Sequence, residues 1–176
     1  DVVFAHRLPA PGCPECTLGA VAAPGGVAVC RCGCECTARV SRAWFVREAE
    51  TQIETLRLRQ ALYDLVRTPV DPAGRRVIVV DDAAVTGATL IAALRAVRAA
   101  GPAHLIAAVP LAPRRALPVL RALADEVVCP LAPQTVRSPG ERFARFAPVM
   151  DEEVALLLAR GTPRPRRRAH QEVQNA

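Results

Sequence analysis

The sequence predicts a doubly wound α/β fold, in which helices cover both faces of a mainly parallel sheet. Short runs of β-branched apolar residues alternate with longer segments whose apolar residues recur every three or four positions. This alternation is typical of strand-helix units, and successive units of that kind build a parallel sheet. The chain has 176 residues, of which 51% are hydrophobic, so it can bury the core of one domain but is too short for two.

The first 72 residues are expected to form strands, loops and one long helix. Residues 2–5 predict a short strand, and the stretch to residue 36, rich in Pro, Gly and Cys, predicts strand and loop with an apolar patch at 27–29. Ser41 fits the N-cap of a helix that ends before Pro69 and Pro72. The apolar residues that give this helix its period are Phe45, Ala49, Ile53 and Leu56, then Leu58, Leu62 and Leu65.

Strands and helices alternate regularly from residue 77 onward. The run of four apolar residues at 77–80 predicts a buried strand. We expect Leu90, Leu94 and Val97 to form the apolar face of the helix that follows it. Asp151 is expected to cap the last helix. The predicted elements are a strand at 77–80, a helix at 86–100, a strand at 105–109, a helix at 114–124, a strand at 126–129 and a helix at 151–160.

The net charge of +6 comes from arginine alone, since the sequence contains no lysine. This excludes functions that need a Schiff-base lysine or a P-loop lysine. Residues 161–176 form an Arg-rich tail that we expect to be disordered and solvated, with nucleic-acid contact the less favoured alternative. The apolar runs are shorter than the roughly 20 residues of a membrane-spanning helix. We therefore expect no membrane association and a cytoplasmic location, although the start at Asp1 leaves an upstream targeting segment open.

Residues 77–90, VIVVDDAAVTGATL, predict a pocket for a phosphorylated sugar. Asp81 and Asp82 stand at the carboxyl end of the predicted strand, where both carboxylates can face one ligand and accept hydrogen bonds from sugar hydroxyls. The loop after them consists of small residues and threonines, and it leads into a helix. Free amides at the start of a helix favour a phosphate group.

This segment is similar to the phosphoribosyl diphosphate signature of type I phosphoribosyltransferases, which is an apolar strand, two acidic residues, three variable positions and Thr-Gly-x-Thr. The segments VVFAHRLPAPGCPECTLGAVA and AVPLAPRRALPVLRALADEVVC resemble flanking parts of bacterial stand-alone members. The resemblance implies a phosphoribosyltransferase-like domain over residues 1–160. Its implied reaction transfers ribose 5-phosphate from phosphoribosyl diphosphate to a nucleophile, usually a nucleobase nitrogen, with release of pyrophosphate.

The same resemblance implies roles for individual residues. Asp81 and Asp82 would hold the ribose 2- and 3-hydroxyls with Mg²⁺ nearby, and Arg7 would lie near the pyrophosphate. Relatives have a basic pair where this chain has His6 and Arg7, and the sequence leaves open whether His6 takes part. The substrate-binding residues expected around the 5-phosphate are Ala83, Ala84, Val85, Thr86, Gly87, Ala88 and Thr89.

Two departures from the family pattern narrow the prediction. The 6-oxopurine enzymes have an aspartate where this chain has Val85, and a valine cannot accept a proton, so hypoxanthine and guanine are disfavoured as acceptors. Adenine, orotate, uracil and a non-base compound all remain open as acceptors. Phe143 and Phe146 are expected either to stack on the acceptor or to pack in the core. Family members also have an earlier strand-helix unit with a pyrophosphate loop. Its absence from this sequence indicates a missing N-terminal part or a degenerate domain that binds phosphoribosyl compounds without transferring them.

Six cysteines raise a second hypothesis, a zinc-binding module. Cys13 and Cys16 form a CxxC motif, but four cysteines in a CxCxCxC run are poorly arranged for tetrahedral ligation, so reduced thiols without a metal are favoured. A small-molecule substrate is the expected partner, and a homodimer stays open. The zinc candidates are Cys13, Cys16, Cys30, Cys32, Cys34 and Cys36, with Cys129 apart from them.

Overall fold

The computed structural model describes residues 1–23 and 40–161. It confirms the predicted fold class, since a parallel sheet of three strands is flanked by helices, and an antiparallel hairpin of two strands packs beside it. The apolar patch at 27–29, four of the cysteines and residues 162–176 of the tail lie outside the described residues. The strands are β1 (Phe4–Ala10), β2 (Cys13–Ala23), β3 (Arg76–Val80), β4 (His104–Ala108) and β5 (Glu126–Val128), and the helices are α1 (Arg42–Asp64), α2 (Ala88–Ala99), α3 (Leu117–Leu123) and α4 (Asp151–Arg160).

The parallel sheet has the strand order β3-β4-β5. Arg76 is paired with His104, and Ile106 with Glu126, so the three strands end at the same edge. α2 connects β3 to β4, and α3 connects β4 to β5. The loops that follow the strands therefore meet at the carboxyl edge, where Leu111 and Leu131 form one more parallel bridge.

The main core lies between α2, the parallel sheet and α3. Leu94, Leu105 and Leu120 are fully buried there, and burial of each such side chain contributes about 1.5–3 kcal/mol. Leu90 and Val97 are also buried, as their helical spacing predicted. The predicted helix at 114–124 is a 3-10 turn over Arg114–Ala116 that continues as α3.

α1 packs against the hairpin along a single stripe of buried residues. The hydroxyl of Ser41 accepts a hydrogen bond from the Trp44 backbone N–H at 3.2 Å, as expected of an N-cap. The buried stripe is Phe45, Ala49, Ile53, Leu56 and Tyr63. Leu58, Leu62 and Leu65 are exposed, so the prediction that they continue the apolar face is wrong. Leu58 follows Leu56 by two positions, about 200° around the helix, which turns it away from the hairpin.

The N-terminus of α4 also differs from the prediction. Met150 occupies the N-cap position, and no side chain caps this helix. Asp151 instead forms a salt bridge with Arg59 and accepts a hydrogen bond from the Tyr63 hydroxyl at 2.8 Å. The carboxylate thus connects α4 to α1.

β3 is an edge strand, because β4 is its one partner in the described sheets. Val79 is buried, but Ile78 and Val80 are 58% and 72% exposed. The prediction of a strand buried on both faces is therefore wrong for these two residues. No helix among the described residues is both long enough and apolar enough to span a membrane.

Candidate functional site

The loop of residues 81–87 connects β3 to α2 at the carboxyl edge of the sheet. The Asp81 N–H donates to the Ala108 carbonyl at 3.1 Å, which extends the β3-β4 ladder by one residue. The Ala84 N–H donates to the Leu111 carbonyl at 2.8 Å, and the Ala84 side chain is buried. The loop is thus tied to the segment after β4 at its middle as well as at its start.

Gly87 ends this loop and is the N-cap residue of α2. Its φ of 78° lies in the left-handed region, which side chains with a Cβ rarely adopt. A Cβ at this position would meet Ile91 Cδ1 at 3.6 Å, which is an ordinary contact. Conformation, and not lack of space, therefore requires the glycine here.

The loop leaves several backbone N–H groups open. In the part of the chain that the structure describes, the N–H groups of Val85, Thr86 and Gly87 have no hydrogen-bond acceptor. The Ala88 N–H donates to the Thr86 hydroxyl at 3.3 Å, while the next two N–H groups of α2 have no acceptor within the helix. These donors and the positive end of the helix dipole are together suited to an anion such as a phosphate.

Asp81 and Asp82 lie at the start of the same loop. Asp81 is half-buried and its Oδ1 accepts the Asp82 N–H at 3.0 Å, whereas Asp82 is exposed and accepts the Ala83 N–H at 2.6 Å. Burial, and then the charge of Asp82, raises the pKa of Asp81 to about 6. Hydroxyl donors or a cation would relieve this desolvation and repulsion, so the pair is suited to a vicinal diol or a hydrated divalent ion.

His6 and Arg7 lie on β1, in the hairpin and not in the parallel sheet. Arg7 is on the same face of β1 as Ala5, which packs toward α2, whereas His6 is on the opposite face toward α1. Burial and the charge of Arg7 lower the pKa of His6. No hydrogen bond or ion pair among the described residues connects Arg7 to Asp81 or Asp82, so its contact with pyrophosphate stays a prediction.

An arginine pair that the sequence analysis did not identify lies beside the loop. Arg114 and Arg115 begin the 3-10 turn after β4, and both side chains are exposed. The turn borders the loop of residues 81–87, since a Cβ at Gly87 would lie 3.7 Å from the Cβ of Ala116. The sequence signal that could have identified this pair was two consecutive arginines just after a predicted strand, in a chain without lysine.

The aromatic and cysteine candidates lie apart from this loop in chain position. Phe143 and Phe146 pack on each other, with ring centroids 5.4 Å apart. The Sγ atoms of Cys13 and Cys16 are 2.7 Å apart where the hairpin turns. No group of three metal-binding side chains occurs among residues 1–23 and 40–161, and the other four zinc candidates lie outside these ranges, so zinc binding stays a prediction.

Comparisons of this chain with a family model, with related sequences and with a solved structure agree with one another. A family model described as "Phosphoribosyl transferase domain" matches residues 46–137, which include the whole loop. Two Mycobacterium tuberculosis proteins, from strains CDC 1551 and H37Rv and each named "Putative phosphoribosyl transferase", are 30% identical over 160 residues, covering 91% of this chain and 36% of theirs. The chain thus spans about a third of the length of these relatives. The crystal structure of TT1426 from Thermus thermophilus superposes with a TM-score of 0.70 at 37% identity, covering 91% of this chain and 75% of that one.

Proposed function

This chain belongs to the phosphoribosyl transferase family, and from that premise we propose that it acts on phosphoribosyl diphosphate. The proposed reaction transfers ribose 5-phosphate to a nucleophile and releases pyrophosphate. The observation that carries the proposal is the loop of residues 81–87. It combines two carboxylates with several open N–H groups within seven residues.

The two halves of the loop match the two ends of a ribose 5-phosphate. The open N–H groups of Val85, Thr86 and Gly87 and the start of α2 bind the 5-phosphate. The carboxylates of Asp81 and Asp82 accept hydrogen bonds from the 2- and 3-hydroxyls of the ribose. Because the Ala84 N–H is bonded to the Leu111 carbonyl, this arrangement is held in place before the ligand arrives.

The reaction breaks the bond between the anomeric carbon and the diphosphate oxygen, and forms a bond from that carbon to the nucleophile. Positive charge develops on the ribose as the diphosphate leaves. Asp81 and Asp82 stabilise this charge and hold the ring in orientation. Arg7, Arg114 and Arg115 are the arginines proposed to offset the charge of the phosphate groups.

The carboxylate pair also fits a magnesium ion, which the family implies. Carboxylate oxygens are hard ligands of the kind that Mg²⁺ prefers. Burial, and then repulsion from Asp82, raises the pKa of Asp81, and a cation would offset both effects. Asp81 and Asp82 would hold the ion through the bound substrate. It would neutralise the charge of the departing diphosphate.

The acceptor is proposed to be a nucleobase other than a 6-oxopurine. Val85 lies in the loop directly before Thr86 and is partly exposed, and its side chain can neither accept nor donate a proton. The loop therefore lacks a proton acceptor at the position where the 6-oxopurine enzymes have an aspartate.

Pyrophosphate release tests the proposal. The full chain is incubated with phosphoribosyl diphosphate, Mg²⁺ and each of adenine, uracil, orotate, hypoxanthine and guanine, and binding is followed in parallel by thermal shift. One non-6-oxopurine base should support release, and Asp82→Asn should reduce the rate by about 10²–10³-fold. Glu50→Gln, an exposed carboxylate on α1, is the matched control and should keep full activity.

Stabilisation by phosphoribosyl diphosphate without pyrophosphate release would identify a binding domain and contradict the transferase proposal. A chain that neither binds the compound nor releases pyrophosphate would contradict the assignment of the loop itself.

A further inference from the structure

A β-bulge interrupts the hairpin beside its turn. Pro9 of β1 is paired with Thr17, and the next residue, Ala10, is paired with Cys13. A single step along β1 therefore corresponds to four steps along β2, and in the described ladder residues 14–16 have no partner on β1. A bulge interrupts the regular alternation of side chains along a strand, so side chains that would otherwise point to opposite faces can come together.

The bulge brings two cysteine side chains into contact. Residues three apart in a regular strand are separated by about 10 Å and point to opposite faces of the sheet. The Sγ atoms of Cys13 and Cys16 instead lie 2.7 Å apart, and both residues are in the thiol form. The fold of the hairpin, and not the sequence spacing alone, therefore places each thiol beside the other.

Packing and exposure suit this thiol pair to reaction with a small molecule. Cys13 and Cys16 are partly buried, and both pack against the core that α1 shares with the hairpin. Packing limits the separation of the two sulfur atoms, while partial exposure lets a small reagent reach them. Cys129 is also partly buried, but it packs against the core of the parallel sheet, and its thiol donates to the Leu131 carbonyl at 3.4 Å. It is a cysteine of the same exposure class in a different part of the fold.

We propose that Cys13 and Cys16 form a redox modification site, which a small disulfide such as oxidised glutathione converts to an intramolecular disulfide and which thiols reduce again. The thiolate of one cysteine attacks the small disulfide, forms a mixed disulfide and releases one small thiol. The thiolate of the other cysteine then attacks the mixed disulfide, forms the bond between Cys13 and Cys16 and releases the second small thiol. Two electrons and two protons pass from the protein to the small disulfide.

The disulfide would hold the bulge closed, because it links the two residues that flank its first positions. The inference rests on the hairpin alone and is independent of the proposed reaction. No step of it needs phosphoribosyl diphosphate, so its failure is distinguishable from failure of the proposed function.

Disulfide mapping by mass spectrometry tests the inference. The full 176-residue protein is reduced, incubated with oxidised glutathione, alkylated and digested after glutamate. Cleavage after Glu15 separates the two cysteines, and fragment 1–15 contains Cys13 as its single cysteine. This fragment should be linked by a disulfide to fragment 16–35, and dithiothreitol should release it. The link should persist at an excess of reduced over oxidised glutathione about tenfold higher than the glutathione adduct of Cys129 does, because the second sulfur is already at contact distance.

Single substitutions identify the partner of Cys13. Cys16→Ser should abolish the link and leave a glutathione adduct on Cys13, and Cys13→Ser should leave the adduct on Cys16. Cys129→Ser is the matched control and should keep the link. A further variant, with serine at the four cysteines between residues 30 and 36, should also keep the link, although those cysteines share fragments with Cys16 or follow it closely.

Three results would overturn the inference. The first is a fragment 1–15 that stays unlinked after treatment with oxidised glutathione. The second is a link that survives in Cys16→Ser, because Cys13 would then have another partner. The third is zinc found by elemental analysis in a one-to-one ratio with the purified protein, together with thiols at Cys13 and Cys16 that resist oxidation until a chelator removes the metal. That last result would support the zinc-binding alternative.

Discussion

The substitution Asp81→Asn should stabilise the ligand-free protein while it impairs the site. Folding raises the pKa of the Asp81 carboxyl from 3.8 to about 6. Each pKa unit corresponds to about 1.4 kcal/mol, so the upper bound of the cost is about 3 kcal/mol. Because Asp81 is partly exposed to solvent, we expect about 1–2 kcal/mol in practice.

The direction of the pH dependence follows from proton binding. Between about pH 4 and pH 6 the folded protein holds the Asp81 proton that the unfolded chain has lost, so stability falls as the pH rises through this interval. Above about pH 6 both states are ionised and the full cost is present. Asparagine keeps a carbonyl oxygen to accept the Asp82 N–H and has no charge to desolvate.

Urea unfolding at pH values from 4 to 8 measures this effect. At pH 7 the Asp81→Asn protein should be more stable by about 1–2 kcal/mol, with an unchanged m-value and a melting temperature about 2–8 °C higher. Asp82→Asn should recover a smaller part, because burial is a larger cause of the shift than the charge of Asp82. Parallel stability profiles for the unmodified protein and Asp81→Asn across this pH range would refute the reasoning.

Three further substitutions test the fold around the site. Leu94→Ala removes a fully buried side chain and should lower the free energy of unfolding by about 2–5 kcal/mol, measured with denaturant. Leu62, which is 65% exposed, provides the control, and Leu62→Ala should change this free energy little. Equal losses of stability in the two variants would contradict the described core. Gly87→Ala forces a residue with a Cβ into the left-handed region and should lower stability by about 1–2 kcal/mol in thermal unfolding. A melting temperature equal to that of the unmodified protein would contradict the need for glycine at this φ. Ser41→Ala deletes the cap of α1 and should cost about 0.5–2 kcal/mol, measured by urea unfolding, with Ser41→Asp restoring most of it if the bond to the Trp44 N–H is the cause.

Patterns formed by residues close together in the sequence predicted much of the fold and the order of residues in the candidate site. Ser41 as a helix cap needs only three residues beyond it, and the buried face of α2 follows from the spacing of Leu90, Leu94 and Val97. The loop of residues 81–87 was recognisable as a potential anion and diol site because its order, acids followed by small residues and a helix, is contiguous. Interactions within a few residues of one another are visible in a linear pattern.

Features that depend on distant neighbours were not predictable in the same way. The exposure of Ile78 and Val80 depends on which elements cover their face of the sheet, and a β-branched run is the same whether or not that face is covered. The turn that begins at Arg114 lies near the loop of residues 81–87 because β3 and β4 are parallel and end at the same edge of the sheet. Asp151 satisfies its carboxylate with Arg59, 92 residues away, instead of with its own helix.

The bond from the Ala84 N–H to the Leu111 carbonyl has a thermodynamic consequence for recognition. Immobilising one flexible residue costs about 1–2 kcal/mol of conformational entropy, and a loop that ordered itself around its ligand would lose that amount several times over from its affinity. In this protein the middle of the loop is already ordered in the folded, ligand-free state, so binding does not incur this loss of conformational entropy there. Compounds as small as inorganic phosphate or ribose 5-phosphate should then bind with favourable free energy per atom, although they contact only a few residues.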